Sequence, residues 1–333
     1  MKRFKTVTHP ITGKKIPEFL TGVITPMFTP CLPDLSLDVQ GFRNMVEFFV
    51  KTKSVRSLFP RCGLGRMYTF TPDDVRTAID AISSQNAGRL YFLPGTAGYY
   101  SNNPNEKPDP EVYIQQSLDL SLYAQEKGAD AVVLVVPSAL PIPSGGSASD
   151  VIYNYYAKMN DALDLPIVVY HPGRLEEAYN FTPEIIARVS ALDKVVGMKF
   201  SSVDLSDYTD LTIGIGDNDF SLFAGSESVY LYSMLVGGLG VIGQGADNIP
   251  EILNALYKYF MAGDYKNARE AQLDVNRTLL CAKEANMGLV GLHYLKHRGV
   301  ELSTIARGGA PETAARIKQI TEDTDRILAK YTD

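Results

Sequence analysis

Cysteine is scarce in this chain: Cys31, Cys62 and Cys281 are the only three in 333 residues. They are widely spaced and odd in number, so they make neither a disulfide framework nor a CxxC metal site, and a reducing, cytoplasmic compartment is the expectation. Histidine is nearly as sparse, at four. His293 and His297 stand one helical turn apart, but the stretch reads His-Tyr-Leu-Lys-His and lacks the glutamate of a zinc-protease helix. They are read as exposed helical histidines, and no metal is expected. No apolar run approaches the ~20 residues needed to cross a bilayer. The start, Met-Lys-Arg-Phe-Lys, continues polar through Lys15 and has no apolar signal core. Basic residues do not dominate either: 32 Lys and Arg against 38 Asp and Glu give a net charge of -6. That balance argues against a nucleic-acid partner, as the apolar runs argue against a membrane one.

What is present is ordinary globular material, 45% hydrophobic and 21% charged, enough for a large core. Short runs rich in β-branched and aromatic residues recur at 22–28, 57–62, 89–94, 131–137, 166–170, 195–201, 220–225 and 240–243. Most are almost continuously apolar, the pattern of parallel strands covered on both faces. Helical periodicity fills most of the gaps, at 38–52, 71–84, 110–127, 147–163 and 182–190. Asp38 and Thr182 read as N-caps, Thr182 with Pro183 and Glu184 behind it. Eight strand–helix repeats over about 250 residues are the arithmetic of a (β/α)8 barrel. The expected layout is an N-terminal arm at 1–20, the barrel at 21–249 and a helical extension at 250–333.

The stretch that points to chemistry is Val195-Val-Gly-Met-Lys199-Phe-Ser201, where a lysine interrupts an apolar strand. Lysine is rarely buried without a partner or a task. Desolvation lowers its pKa, and the neutral amine is a nucleophile suited to a carbonyl. The competing reading is a strand-end lysine whose head snorkels to water. Barrel sites lie at the C-terminal strand ends. This brings in Cys62-Gly63-Leu64-Gly65-Arg66, Gly95-Thr96-Ala97, Pro137–Leu140, Tyr170-His171, Gly225-Ser226-Glu227-Ser228 and Gly243. Gly238-Leu-Gly240-Val-Ile-Gly243 fits GxGxxG, but it contains a strand instead of following one and opens no helix, so no nucleotide cofactor is expected. Tyr170 ends the strand before the one carrying Lys199. Neighbouring parallel strands lie ~4.8 Å apart, so a phenol and an amine can meet there.

With these residues in place the chain resembles the N-acetylneuraminate lyase and dihydrodipicolinate synthase superfamily, over roughly residues 20–310. The resemblance rests on Gly22-Val-Ile-Thr-Pro-Met27, on Tyr170-His171-Pro172 followed by Gly197-Met-Lys199-Phe-Ser201, on Asp204 and Asp207, and on Gly237-Gly238-Leu-Gly240-Val-Ile242. The wording is closer to the lyase branch. The resemblance implies a Schiff-base lyase or aldolase acting on pyruvate or a 2-keto acid, sugar-acid derived, with the imine on Lys199, Tyr170 as acid/base and no cofactor. It also implies substrate contacts from Gly63, Leu64 and Gly65 through backbone N–H groups, and from Arg66, Arg174, Gly225, Glu227, Ser228 and Ile242. A homotetramer built as a dimer of dimers is implied too. Tyr99-Tyr100 and Ser138–Pro143 are the loops that would make contacts between subunits, or else fold over their own barrel mouth.

Departures from the family pattern qualify this expectation. Where the family has Gly-Thr-Thr-Gly-Glu, this chain has Cys62-Gly-Leu-Gly-Arg66, so the hydroxyl that relays protons to the tyrosine is missing. Ser138-Ala139 replaces a Tyr-Tyr pair, which argues against dihydrodipicolinate synthase activity. Gly243 stands in place of a serine and Ser228 in place of a second acid, which argues against sialic acid as substrate. Arg66 is read either over a substrate carboxylate or in a surface ion pair, and Arg174 either at the substrate or paired with Glu176 or Glu177. Two other functions stay open: a dehydratase of keto-deoxy sugar acids that uses the same imine, and a keto-acid binder that has lost turnover.

Overall fold

In the computed structural model, which describes residues 4–173 and 175–332, each of the eight apolar runs overlaps a strand. They are β1 (Thr21–Thr25), β2 (Val55–Leu58), β3 (Tyr91–Phe92), β4 (Val132–Val135), β5 (Ile167–His171), β6 (Val195–Phe200), β7 (Ser221–Ala224) and β8 (Leu239–Val241). All pair in parallel with their chain neighbours, and β8 pairs back onto β1. Between β3 and β4 the seam is a single parallel bridge, Gly95 to Val133, with the Val133 N–H donating to Pro94 O at 2.9 Å. The sheet is therefore a closed (β/α)8 barrel. Every residue of β6 is buried, which is why its sequence is apolar without alternation.

Helices α1 (Val39–Thr52), α2 (Pro72–Asn86), α3 (Pro110–Glu126), α4 (Ala148–Ala162) and α5 (Pro183–Ser190) stand where the periodicity placed them. Asp38 caps α1 by accepting the Gly41 N–H at 2.8 Å, and Thr182 caps α5. Two further barrel helices, α6 (Leu205–Ile215) and α7 (Tyr230–Leu235), have no counterpart in the sequence reading. They are short, and α6 carries β-branched residues and Gly214, which blur the helical signal.

Most of the strands are shorter than their apolar runs. The run at 57–62 leaves the sheet after Leu58, because Pro60 has no N–H to offer the ladder and Arg61 turns the chain at φ 55°. Past a four-residue helix α8 (Gly245–Asn248), the extension consists of α9 (Pro250–Met261), α10 (Tyr265–Cys281), α11 (Met287–His297) and α12 (Ala314–Leu328). Several contacts tie it to the barrel: Arg298 donates to Asn248 O at 2.9 Å, Ser303 N–H donates to Asp38 at 2.8 Å, and Cys31 bridges to Ile305. Before β1, Thr6–Thr8 and Lys15–Pro17 form an antiparallel hairpin, so most of the N-terminal arm is ordered against the barrel. No helix among the described residues is long and apolar enough to span a membrane.

Candidate active site

Strand register decides which side chains share the barrel mouth. Tyr170 on β5 stands directly opposite Lys199 on β6. Alternation turns both inward, while their successors His171 and Phe200 turn out to the helical layer, where their rings meet edge to face at 5.0 Å. The Lys199 ammonium nitrogen lies 4.0 Å from the centroid of the Tyr170 ring. Lys199 is 5% exposed, and among the described residues no carboxylate forms an ion pair with it. Burial lowers its pKa to about 8, opposed by the nearby Cys62 and Glu227. A substantial fraction of the amine is thus neutral near physiological pH, the form that attacks a carbonyl.

Tyr170 is also buried, and its phenol is held well above its ordinary pKa by desolvation, partly relieved by the Gly63 backbone N–H. A Cβ on residue 63 would sit 2.5 Å from the phenol oxygen. The hydroxyl therefore fills the volume where a side chain at position 63 would lie, and only glycine permits this approach.

The rest of the 62–66 loop is turned inward on itself. The Cys62 thiol donates to Pro26 O at 2.7 Å and accepts the Gly65 N–H at 3.2 Å. Burial pushes this thiol up to about 12, so it is neutral and its sulfur occupies the space over the loop amides. Leu64 is half-buried. Arg66 points away from the mouth: its guanidinium donates to Asn286 in the extension at 2.7 Å, so its partner is an amide and not a surface acid.

Across the mouth, the Gly225 N–H donates to Phe200 O at 2.7 Å, and the Ile242 N–H to Ala224 O at 2.8 Å, so both belong to the barrel wall. Glu227 is buried. One carboxylate oxygen accepts the Gly245 N–H at 2.7 Å, and the other fills the space beside Gly243 that a Cβ would need. Burial raises its pKa, opposed by backbone N–H groups and by Lys199. Ser228 is half-buried and shares a 2.9 Å hydrogen bond with Ser226. Arg174 lies outside the described residues; Glu176 pairs with Lys107 at 2.8 Å.

Three nearby residues were not named as site candidates from the sequence. Asp247 accepts the Thr25 hydroxyl at 2.7 Å, leaves its second oxygen without a partner, and is pushed by burial up to about 8, so it is protonated at neutral pH. Ser201, two residues beyond Lys199, has a buried hydroxyl with no partner beside Gly225. Arg61 is a buried cation next to Cys62, and Cys62 itself touches the charge of Lys199. Arg61 carried a legible signal, a charge inside the apolar Leu58-Phe-Pro-Arg-Cys62, the same signal that marked Lys199. Asp247 carried none. Of the loops expected between subunits, Tyr99 is 41% and Ile142 40% exposed, whereas Tyr100, Ala139 and Leu140 fold down on their own barrel. His297 binds Asp325 at 2.7 Å, and the described residues hold no His/Cys/Asp/Glu cluster of metal-binding shape.

The closed barrel with a buried amine and phenol at its C-terminal mouth defines the class of α/β-barrel protein. Within it, the chain belongs to the dihydrodipicolinate synthetase family, whose sequence profile matches residues 19–308. It is 30% identical over 252 residues to the 4-hydroxy-tetrahydrodipicolinate synthase of Thermus thermophilus, covering 75% of this chain and 77% of that one. Its fold is similar to the Ruminococcus gnavus sialic acid aldolase, with a TM-score of 0.81 at 20% identity over 95% of this chain and 100% of that one. It is also similar to a prophage protein of the dihydrodipicolinic acid synthase family from E. coli K12 solved with pyruvate. There the TM-score is 0.79 at 18% identity, covering 94% and 99%.

Proposed function

We propose that the protein is a Schiff-base lyase or aldolase acting on pyruvate or a larger 2-keto acid, with the imine on Lys199 and Tyr170 as the proton carrier. The observation that carries this reading is the register pair: a buried amine with a lowered pKa, 4.0 Å from a phenol ring on the adjacent strand. The pyruvate complex of the E. coli K12 prophage protein supports the keto-acid end of the substrate.

The steps follow from these two groups. Neutral Lys199 attacks the C2 carbonyl, and the carbinolamine hydroxyl leaves as water with a proton from the Tyr170 phenol. This leaves a protonated imine beside a phenolate, and the Gly63 N–H and the new positive charge both favour that phenolate. In the cleavage direction the phenolate takes the proton of the C4 hydroxyl. The C3–C4 bond breaks, its electron pair moves into the iminium to give an enamine, and an aldehyde departs. Protonation of C3 and hydrolysis release pyruvate and return Lys199. Glu227 is the carboxylate whose charge Lys199 feels, which suits it to balance the iminium. Ser201 offers a free hydroxyl at the mouth to a substrate oxygen.

The test is borohydride reduction in the presence of pyruvate followed by peptide mass analysis. A covalent adduct at residue 199 is expected, lost in Lys199→Ala. Because only the free amine reacts, the trapping rate should climb as pH rises and level off past a midpoint near 8, well below the usual lysine range. An unmodified chain across a panel of 2-keto acids would sink the reading.

A further inference from the structure

The mouth has a second buried cation that the imine chemistry does not use. Arg61 is 5% exposed and sits in left-handed backbone at φ 55°, a conformation that costs a non-glycine residue energy. Its guanidinium donates to the carbonyls of Gly95, Ala97 and Gly98, in the segment that follows β3. Its Nε has no partner, and among the described residues no carboxylate pairs with it. The titratable groups acting on it are tyrosines, Tyr113, Tyr155 and Tyr68, whose phenols are neutral near physiological pH, and burial pulls its own pKa down to about 10. Arginine is almost never fully buried without pairing, and carbonyl dipoles offset the loss of water without cancelling the charge. An uncompensated guanidinium is suited to bind a carboxylate.

The surroundings say which carboxylate. Arg61 borders a narrow recess together with Tyr68, Tyr100, Ser138 and Val136. That recess adjoins Tyr170: the Val136 N–H donates to Tyr170 O at 2.9 Å, Val135 is its register partner, and Tyr68 acts electrostatically on its phenol. Tyr170 thus stands between Lys199 and the Arg61 recess. A substrate joined at C2 to Lys199 and handled at C4 by Tyr170 would direct its far end toward Arg61.

We infer that Arg61, with the Tyr68 hydroxyl, forms a subsite for a second acidic group, so that the preferred substrate is a 2-keto acid bearing a carboxylate at its far end. The inference rests on the proposed imine at Lys199 and deepens it. An arginine that only pins the 95–98 carbonyls would make no such selection.

Borohydride trapping of the intact protein at graded concentrations compares 2-oxoadipate with 2-oxohexanoate, which has the same chain length but a methyl group in place of the second carboxylate. Half-saturation for the diacid should fall about 10–100-fold lower, the worth of hydrogen bonds to a charged group. The ratio should collapse toward one in Arg61→Gln, be partly kept in Arg61→Lys, and shrink by several-fold in Tyr68→Phe, which also serves if Arg61→Gln does not fold. Equal trapping of the two acids by the wild type overturns the subsite, as does a preference that survives both Arg61→Gln and Tyr68→Phe. Failure to trap any keto acid, pyruvate included, instead overturns the imine itself.

Discussion

Arg61 and Arg66 leave one loop in opposite directions. Both sit in left-handed backbone, at φ 55° and 62°. Arg61 turns down among tyrosines beside the barrel mouth, whereas Arg66 turns out to Asn286 of the extension. On strands β5 and β6, by contrast, Tyr170 and Lys199 have no such freedom: pleat alternation and register fix where they point. Side-chain direction in a strand is a local property of the chain, while in a loop it is set by partners distant in sequence. The strand pair should therefore carry the chemistry, the inner half of the loop should tune it, and the outer half should only anchor it.

The largest effect should come from the strand pair. Tyr170→Phe keeps the ring against Lys199 and Phe59 but removes the proton carrier, and it should lower turnover by roughly 10²–10⁴. Steady-state rates on any substrate found by trapping would measure it, with the Lys199 adduct still forming slowly. Near-full turnover in the Phe variant would move the proton path into the loop and reverse the ranking.

Next comes the inner loop. In Gly63→Ala the new methyl would have to share the phenol's position, 2.5 Å from its oxygen, so the phenol must retreat. Misplacement of a reacting group by about an ångström can cost up to about 100-fold, so a loss of about 10–100-fold is expected, chiefly in kcat. If Gly63→Ala has no effect, the phenol is not held against the loop backbone.

The same contrast explains what the sequence made legible. β5 and β6 could be read because continuous apolar runs mark strands covered on both faces, and one charged residue in such a run is conspicuous. The pairing of Tyr170 with Lys199 followed from consecutive strands being neighbours. Beyond the charge of Arg61, the loop at 62–66 was readable only as a departure from a family pattern. Nothing in Cys62-Gly-Leu-Gly-Arg66 reveals that the thiol fills the loop's own amide nest, or that Arg66 reaches across to residue 286. Glu227 was placed correctly after β7, but its turn toward Gly245 depends on the missing side chain at Gly243, a contact between two strand ends. Asp247 lies in a four-residue helix with no periodicity to read, and its burial comes from packing below the mouth.

The smallest expected effect tests the outer half of the loop. Arg66 donates to the Asn286 side chain, and Asn286 is also held within the extension by Glu312 at 2.6 Å and by Ala310 O at 2.6 Å, so Asn286 keeps its place without the arginine. Its Nε is buried without a partner, so part of the guanidinium's hydrogen-bonding capacity is unused where it sits. Arg66→Ala should therefore cost only about 1 kcal/mol in a denaturant titration, near the net worth of a single hydrogen bond. Hydrogen exchange should quicken around residues 286–312 and stay unchanged on β5 and β6. Imine trapping at Lys199 should remain within about twofold of wild type, since the Arg66 side chain hydrogen-bonds into the extension and not into the mouth. A tenfold loss of trapping, with stability and exchange on the strands unaltered, would mean that Arg66 swings inward when substrate binds. The outer loop would then join the chemistry, and the division between the two arginines would fail.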